Sequence, residues 1–300
     1  MDFLVLGGTQ FVGRTIVKTL LSNGHRVTLL HRGNTNPELF PECEHLLTDR
    51  LEIEQFDLGE RRWDAIVDVS GYIPRAMTTA INALKGRAEQ YLFISTISVY
   101  DVQAGERDIR EDHRVLELAD PTVEKVDGET YGGLKVLCER TLESDWSGTV
   151  TIVRPGLIVG PFDHTDRLTY WLEHIRRGQR REPVGIDQPL QVIDARDLAG
   201  LVLNLLQSQT PGTFNAVGPA TPMSFRQVLD LAVQTLNPAA ALTPGDYAKP
   251  LDMEGDTERE GIMVVNWEAA KAAGLRHRPL AETMRDAVAW FQEQGRDLKF

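Results

Sequence analysis

Cysteine is scarce in this chain: Cys43 and Cys138 are the only two among 300 residues. Two thiols far apart in sequence make no disulfide framework, so a reducing, cytoplasmic setting is expected. Long apolar runs are missing as well, and without about eighteen consecutive apolar residues no membrane-crossing helix is expected. No basic region precedes an apolar stretch at the start, so no signal peptide is expected. Positive charge is in deficit: 32 Lys and Arg face 44 Asp and Glu, a net charge of −12. That balance disfavours nonspecific binding to nucleic acid or to an anionic membrane. His31, His45, His113, His164 and His174 show no metal-ligand spacing, and no nucleophile elbow is present. Neither a catalytic metal nor serine-hydrolase chemistry is therefore expected. Internal repeats and low-complexity tracts are absent too.

What is present starts at once. Phe3-Leu4-Val5-Leu6 is a short apolar run that leads into Gly7-Gly8-Thr9-Gln10-Phe11-Val12-Gly13. Val12, Ile16 and Leu20 follow with helical spacing, Gly24 ends them, and Val27 to Leu30 reads as a second strand. Strand, glycine-rich turn, helix, strand is the unit that holds a dinucleotide or a phosphate. Gly7 permits the tight turn, the backbone N–H groups at the helix start meet a diphosphate, and Gly13 lets the helix pack close to the strand. Gly7, Thr9, Gln10, Phe11, Val12 and Gly13 are thus the candidate cofactor-binding residues of this turn.

The alternation continues. Strands are expected at Glu44–Asp49, Asp64–Val69, Gln90–Ser95 and Val150–Val153, with helices at Arg75–Leu84 and Tyr131–Leu142. Near-continuous apolar strands are buried on both faces of a parallel sheet. Residues 101–128 are polar and aperiodic and read as a long loop. Beyond residue 155 the pattern predicts helices at Leu168–Arg177, Asp197–Leu206, Ser224–Leu236, Trp267–Ala273 and Leu280–Gln292. Short strands are predicted at Leu190–Ile193 and Thr213–Val217, and residues 238–262 read as loop. The expected fold is α/β, a doubly wound parallel Rossmann-type sheet with helices on both faces. Residues 1–155 would form the dinucleotide-binding domain. Residues 156–300 would form mostly a smaller C-terminal substrate lobe, interleaved with the sheet because residues about 190–217 return to it.

Tyr131 and Lys135 lie four residues apart on one expected helix, so they share a face. A nearby ammonium favours phenolate, which lowers a tyrosine pKa and makes Tyr131 a candidate general acid/base. Ser95, Thr96 and Ser98 end a central strand, where open α/β sheets bind ligands.

These residues resemble the short-chain dehydrogenase/reductase superfamily, in the extended or atypical branch of NAD-dependent epimerases and dehydratases. The resemblance runs from residue 3 to about 217. It rests on the Gly7–Gly13 turn, Ser95–Tyr100, Tyr131 with Lys135, Arg154–Pro161 and Val192–Ala199. It implies Tyr131 as proton carrier, Lys135 on the nicotinamide ribose and Thr96 as the catalytic hydroxyl. It also implies Ser70, Gly71 and Ser95 along the cofactor, Asp49 at the adenine, and Pro155 to Ile158 beside the nicotinamide. Gln10 replaces the middle glycine, which resembles an atypical subgroup that includes sugar epimerases, reductase-like proteins and a chloroplast RNA-binding protein. Dehydratases of the superfamily carry an acid pair beside the threonine; Ile97 and Ser98 stand there.

Residues 28–33 contain no Asp or Glu, and Arg32 ends the second strand. Arginine pairs with a 2′-phosphate, so NADP(H) is favoured and NAD(H) remains open, with Arg14 as an assisting charge. Arg176, Arg177, Arg180 and Arg181 read as a solvated helix end or, more sharply, as a site for a phosphate-bearing nucleotide sugar. The expected activity is that of an NAD(P)-dependent oxidoreductase of this type, a reductase or epimerase, with hydride transfer at a carbonyl or alcohol carbon of a small molecule and Tyr131 as general acid/base. The alternatives are a nucleotide-sugar epimerase that retains NAD and a non-catalytic nucleotide-sensing or RNA-binding protein. The resemblance also implies a homodimer through the helices carrying residues 75–84 and 131–142.

Overall fold

The computed structural model describes residues 1–103, 105–183, 186–243 and 264–298. The elements run β1 (Asp2–Leu6), α1 (Phe11–Ser22), β2 (Arg26–His31), β3 (Glu44–Leu47), β4 (Ala65–Asp68), α2 (Pro74–Leu84), β5 (Gln90–Ile94), α3 (Tyr131–Asp145) and β6 (Thr149–Pro155). Then come β7 (Leu157–Val159), α4 (Thr169–Arg176), β8 (Gln179–Arg180), β9 (Pro189–Leu190), β10 (Val192–Asp194) and α5 (Ala195–Gln207). The chain closes with β11 (Gly212–Ala216), β12 (Met223–Ser224), α6 (Phe225–Leu236), β13 (Ala241–Leu242), α7 (Glu268–Ala272) and α8 (Leu280–Glu293).

Seven strands form one parallel sheet in the order β11-β6-β5-β4-β1-β2-β3. Alternation along each strand explains why helices cover both faces. Phe3 and Val5 point into the core beneath α1 and α5, whereas Leu4 and Leu6 point to the opposite face with Met77, Tyr91 and Phe93. All are buried, as a two-sided sheet requires. The connection from β1 leads to β2 on one side, and β4 pairs on the other, so the strand order reverses between β1 and β4. Ligands of open α/β sheets bind in the crevice at such a reversal.

Two differences from the sequence expectation concern short strands. Leu157–Val159, for which no strand was expected, is β7, and it pairs with β10 outside the main sheet. The strand expected at Leu190–Ile193 splits at Gln191: β9 pairs antiparallel with β12, and β10 parallel with β7. Three apolar residues carry no readable period, so only the pairing partner reveals them. β11 joins the main sheet next to β6. A separate core packs around Trp171, Phe225 and Met284 from α4, α6 and α8. Ser224 caps α6 through a reciprocal capping box with Gln227. Of the loop expected at residues 238–262, residues 244–262 lie outside the described residues.

Residues 101–128 contain no regular strand or helix among the described residues, only bridges from Tyr100 to Val115 and from Ile109 to Val265. A buried network fastens this segment. Arg154 makes a bidentate pair with Glu139 and donates to the Tyr100 hydroxyl and the Glu111 carbonyl, and the Tyr100 hydroxyl donates to Asn215 at 2.6 Å.

Candidate active site

A cavity of about 620 Å³ opens at the carboxyl ends of β1, β2, β4 and β5. Its floor is the turn after β1. Gly7 and Gly8 adopt φ of +105° and +99°, which favours glycine. A Cβ on Gly13 would stand 2.8 Å from the Gly8 backbone, so α1 is held against the turn more closely than a side chain allows. Gln10 ends the turn without a side-chain cap, and the first turn of α1 carries no acid. The helix therefore presents its free N–H groups and the positive end of its dipole to the cavity.

Thirteen of the residues expected at the site line this cavity: Gly7, Thr9, Gln10, Phe11, Val12, Gly13, Arg32, Asp49, Ser70, Ser95, Tyr131, Lys135 and Ile158. Gly71, Thr96 and Pro155 stand behind the wall. Gly71 offers its carbonyl to the Lys135 ammonium at 2.8 Å, and the Thr96 hydroxyl donates to Ser98 Oγ at 3.1 Å and lies near enough to the Tyr131 phenol to lower its pKa. Pro155 is buried at the end of β6, in register with Ala216. Arg14 departs from expectation. Its guanidinium stacks 3.9 Å over the Phe162 ring and is half-buried, where a π face partly replaces lost water.

Lys135 also differs from the sequence expectation. Its ammonium donates to the carbonyls of Gly71 and Ile94, both at 2.8 Å, and burial lowers its pKa to about 8. Tyr131 is correspondingly not brought toward neutrality. Burial pushes its phenol up to about 12, the neighbouring Tyr72 adds to the rise, and the Thr96 hydroxyl and Arg167 oppose it. Desolvation is the largest cause, and the Lys135 ammonium is not among the groups that lower the phenol.

The main feature that sequence reasoning missed is Arg50. It reaches behind the cavity to make a bidentate pair with Asp68 at 2.8 and 2.9 Å, and the Tyr91 hydroxyl donates to the same carboxylate. Burial pushes Asp68 up, but Arg50 outweighs it and holds the carboxyl below its ordinary range. Arg50 also reaches the Ser70 hydroxyl, at 3.2 Å, and so fixes the segment after β4. The acid that ends β4 was the available signal. His31 and His45 form another missed link. The Gly33 N–H donates to His31 Nδ1, His31 Nε2 lies 2.9 Å from His45 Nδ1, and His45 Nε2 lies 3.1 Å from the Phe40 carbonyl. With the Gly33 N–H donating to it, Nδ1 of His31 is an acceptor, which leaves Nε2 as the nitrogen that faces His45. Tyr72, Glu124 and Val126 complete the rim.

The four basic residues near α4 are engaged with protein: Arg176 and Arg177 with Glu173, Arg180 with Asp230 and Glu182, and Arg181 with the Tyr170 hydroxyl. The solvated helix-end reading describes Arg176 and Arg177 better than a phosphate site does.

The glycine-lined floor, the uncapped helix start and the buried Ser95 hydroxyl without a protein partner suit a dinucleotide. The comparisons agree. The model of the NAD dependent epimerase/dehydratase family matches residues 3–216. The chain belongs to this family. Among solved structures, the Bordetella bronchiseptica enzyme WbmH in complex with NAD+ superposes with a TM-score of 0.77 at 17% identity, covering 98% of this chain and 99% of that one. A Thermotoga maritima UDP-glucose 4-epimerase with UDP-glucose superposes with a TM-score of 0.73 at 16% identity, covering 99% and 100%. At such identity these likenesses show the Rossmann-like fold. The chloroplast stem-loop binding protein of 41 kDa b from Arabidopsis thaliana is 26% identical over 69% of this chain, which spans about half (55%) of that relative. No helix among the described residues is long and apolar enough to cross a membrane.

Proposed function

We propose that this family member is an NAD(P)-dependent reductase in which Tyr131 delivers a proton to a substrate carbonyl oxygen. The observation that carries the reading is the Tyr131 phenol on the wall of a dinucleotide-sized cavity at the strand-order reversal, with the Thr96 hydroxyl near enough to lower its pKa. A nicotinamide dinucleotide, when bound, supplies the hydride. This chain's residues do the rest. The turn from Gly7 to Gly13 holds the diphosphate, Lys135 holds the adjoining ribose, and Asp49 and Arg32 take the adenosine end. Thr96 aims the phenol. The cavity wall excludes water, and the core around α4, α6 and α8 serves as the substrate lobe. A phenol with a pKa of about 12 is fully protonated at neutral pH, which suits a donor better than a base.

Arg32 is exposed and lies 3.8 Å from Asp49. We take it as the group that meets a 2′-phosphate when NADP(H) binds, while relatives holding NAD support NAD(H) as well. Arg32→Ala is expected to weaken NADPH binding about tenfold and NADH binding little, a difference that titration would read. Equal losses would remove the NADP preference.

A second reading is a nucleotide-sugar epimerase that retains NAD, supported by the full-length likeness to an epimerase holding UDP-glucose. The deciding experiment is mass spectrometry of the purified protein for co-purified nucleotide, followed by NADPH and NADH titration. An empty site with carbonyl-dependent NADPH oxidation supports the reductase. Retained NAD and UDP-sugar turnover without net redox supports the epimerase. If neither nucleotide binds, both readings fall, and salt-sensitive retention of a stem-loop RNA becomes the measurement of interest.

A further inference from the structure

Few large apolar side chains of this protein are left exposed. Among the described residues they are Met1, Leu47, Tyr72, Val126 and Leu242. Two of them, Tyr72 at 47% and Val126 at 43% exposure, line the cavity that holds Tyr131. Single exposed apolar groups need no explanation, but a pair in the wall of one cavity beside the candidate acid does. The Tyr72 ring stands 6.5 Å from the Tyr131 ring, tilted by 38°, and 5.4 Å from the Lys135 ammonium. Ile73 and Ala76, around the start of α2, continue the apolar lining.

Both side chains sit on segments that are fastened to the site. Gly71, just before Tyr72, accepts from Lys135 at 2.8 Å, and a Cβ there would stand 2.8 Å from the Phe93 ring. The backbone that leads into Tyr72 is therefore packed against the sheet. Val126 lies between Glu124, which pairs with Arg75 of α2 at 2.7 Å, and Asp127. The Asp127 carboxylate accepts from the Thr130 N–H and hydroxyl, and its carbonyl accepts from the Tyr131 N–H. The same segment seats Leu116 and Leu118 on α3, where a Cβ on Gly132 or Gly133 would come within 2.7 and 2.5 Å of them. The wall that carries Val126 is thus tied to the helix turn that carries Tyr131. The charged side chains of this wall are engaged, Lys135 with two carbonyls and Glu124 with Arg75. A sugar ring brings several hydroxyls that each need a partner, whereas an aryl ring needs an apolar face.

Resting on the reductase reading, we propose that Tyr72 and Val126 form the substrate wall of this site and select a carbonyl compound with an apolar aryl substituent. The aryl group would rest against the Tyr72 ring with its carbonyl oxygen toward the Tyr131 phenol. The carbonyl gains the hydride of the reduced dinucleotide at carbon and the Tyr131 proton at oxygen. The products are the alcohol and the oxidised dinucleotide, and solvent returns the proton to the phenolate. Tyr72 is thus a specificity-determining residue, and removing its ring costs roughly tenfold or more in discrimination.

The test uses the full-length protein, NADPH or NADH as titration directs, and two probes, benzaldehyde and glyceraldehyde. The wild type is expected to favour benzaldehyde in kcat/KM. Tyr72→Ala is expected to lower the benzaldehyde-to-glyceraldehyde ratio of kcat/KM about tenfold, and Val126→Ser about threefold. Tyr72→Phe, which keeps the ring, should preserve the ratio. Equal losses on the two probes would mark a merely structural effect and overturn the inference. So would a loss of dinucleotide affinity in Tyr72→Ala that matches its loss on benzaldehyde, by placing the ring against the dinucleotide. A readout without turnover separates this inference from the reductase reading. It is saturation-transfer NMR of benzyl alcohol, with glycerol as control, on protein saturated with the reduced dinucleotide, a pair that cannot react. Benzyl alcohol is expected to bind the wild type and Tyr72→Phe but not Tyr72→Ala. That pattern without reduction of benzaldehyde would support the wall and count against the reductase. No binding of benzyl alcohol by the wild type would overturn the inference, and turnover of glyceraldehyde would then leave the reductase standing.

Discussion

At the residue scale, the chemistry depends on two titrating groups whose pKa values burial moves in opposite directions. Tyr131 rises to about 12 and Lys135 falls to about 8. Tyr131→Phe keeps the ring and removes the proton, so turnover should fall by 10²- to 10⁴-fold while dinucleotide affinity stays within about twofold. Steady-state kinetics beside titration separates the two; a variant of normal turnover would remove Tyr131 from the mechanism. The linkage signs follow from the same shifts. Between pH 8 and about 10.5 an unfolded chain still binds the Lys135 proton that the folded chain has released, so this group's contribution to stability rises with pH. Tyr131 acts oppositely: its contribution is present below pH 10 and is lost as pH rises through 12. Urea unfolding of wild type and Lys135→Met at pH 7.5 and 9.5 should show a smaller upward slope with pH in the variant. Equal slopes would contradict the depressed amine.

At the element scale, the turn and α1 act as one anion-binding unit whose geometry leaves no room for side chains. Gly13→Ala places a methyl group 2.8 Å from Gly8 backbone atoms that cannot move aside without opening the turn. We expect a cost of about 1–3 kcal/mol in chemical denaturation and at least a tenfold loss in dinucleotide affinity. The capping box of α6 lies far from the cavity and gives a contrast. Ser224→Ala should cost about 1 kcal/mol and leave nucleotide binding alone. A matching loss of binding in both variants would show that the Gly13 effect is general instability.

Across the whole molecule, buried ion pairs join segments that are distant in sequence. Arg154 of β6, Glu139 of α3 and Asn215 of β11 together hold the chain around residues 100–115 against the sheet. Glu139 and Arg154 are almost fully buried, so Glu139→Ala leaves an uncompensated guanidinium. It should destabilise the protein by about 3–5 kcal/mol, far above the value of a surface pair. A change below 1 kcal/mol in denaturant unfolding would show that water reaches Arg154. The network ends near Tyr100, at the carboxyl edge of the sheet, so the same variant should also loosen the wall that carries Thr96.

Local pattern in the sequence was enough for the parallel sheet, the order of its first six strands and helices, and the glycine turn. Each of these is set by residues within about ten positions: apolar runs bury on two faces, and glycine alone accepts the turn. Tyr131 and Lys135 were likewise legible as neighbours on one helix face. Their ionisation was not, because burial and the carbonyls of Gly71 and Ile94, which lie 64 and 41 residues from Lys135, decide where the ammonium points. Arg50 with Asp68, the departure of Arg14 toward Phe162, and the approach of His164 to Phe11 are also contacts between separate elements. No local pattern carries them, since a side chain's partner across the core is chosen by how sheets and helices pack.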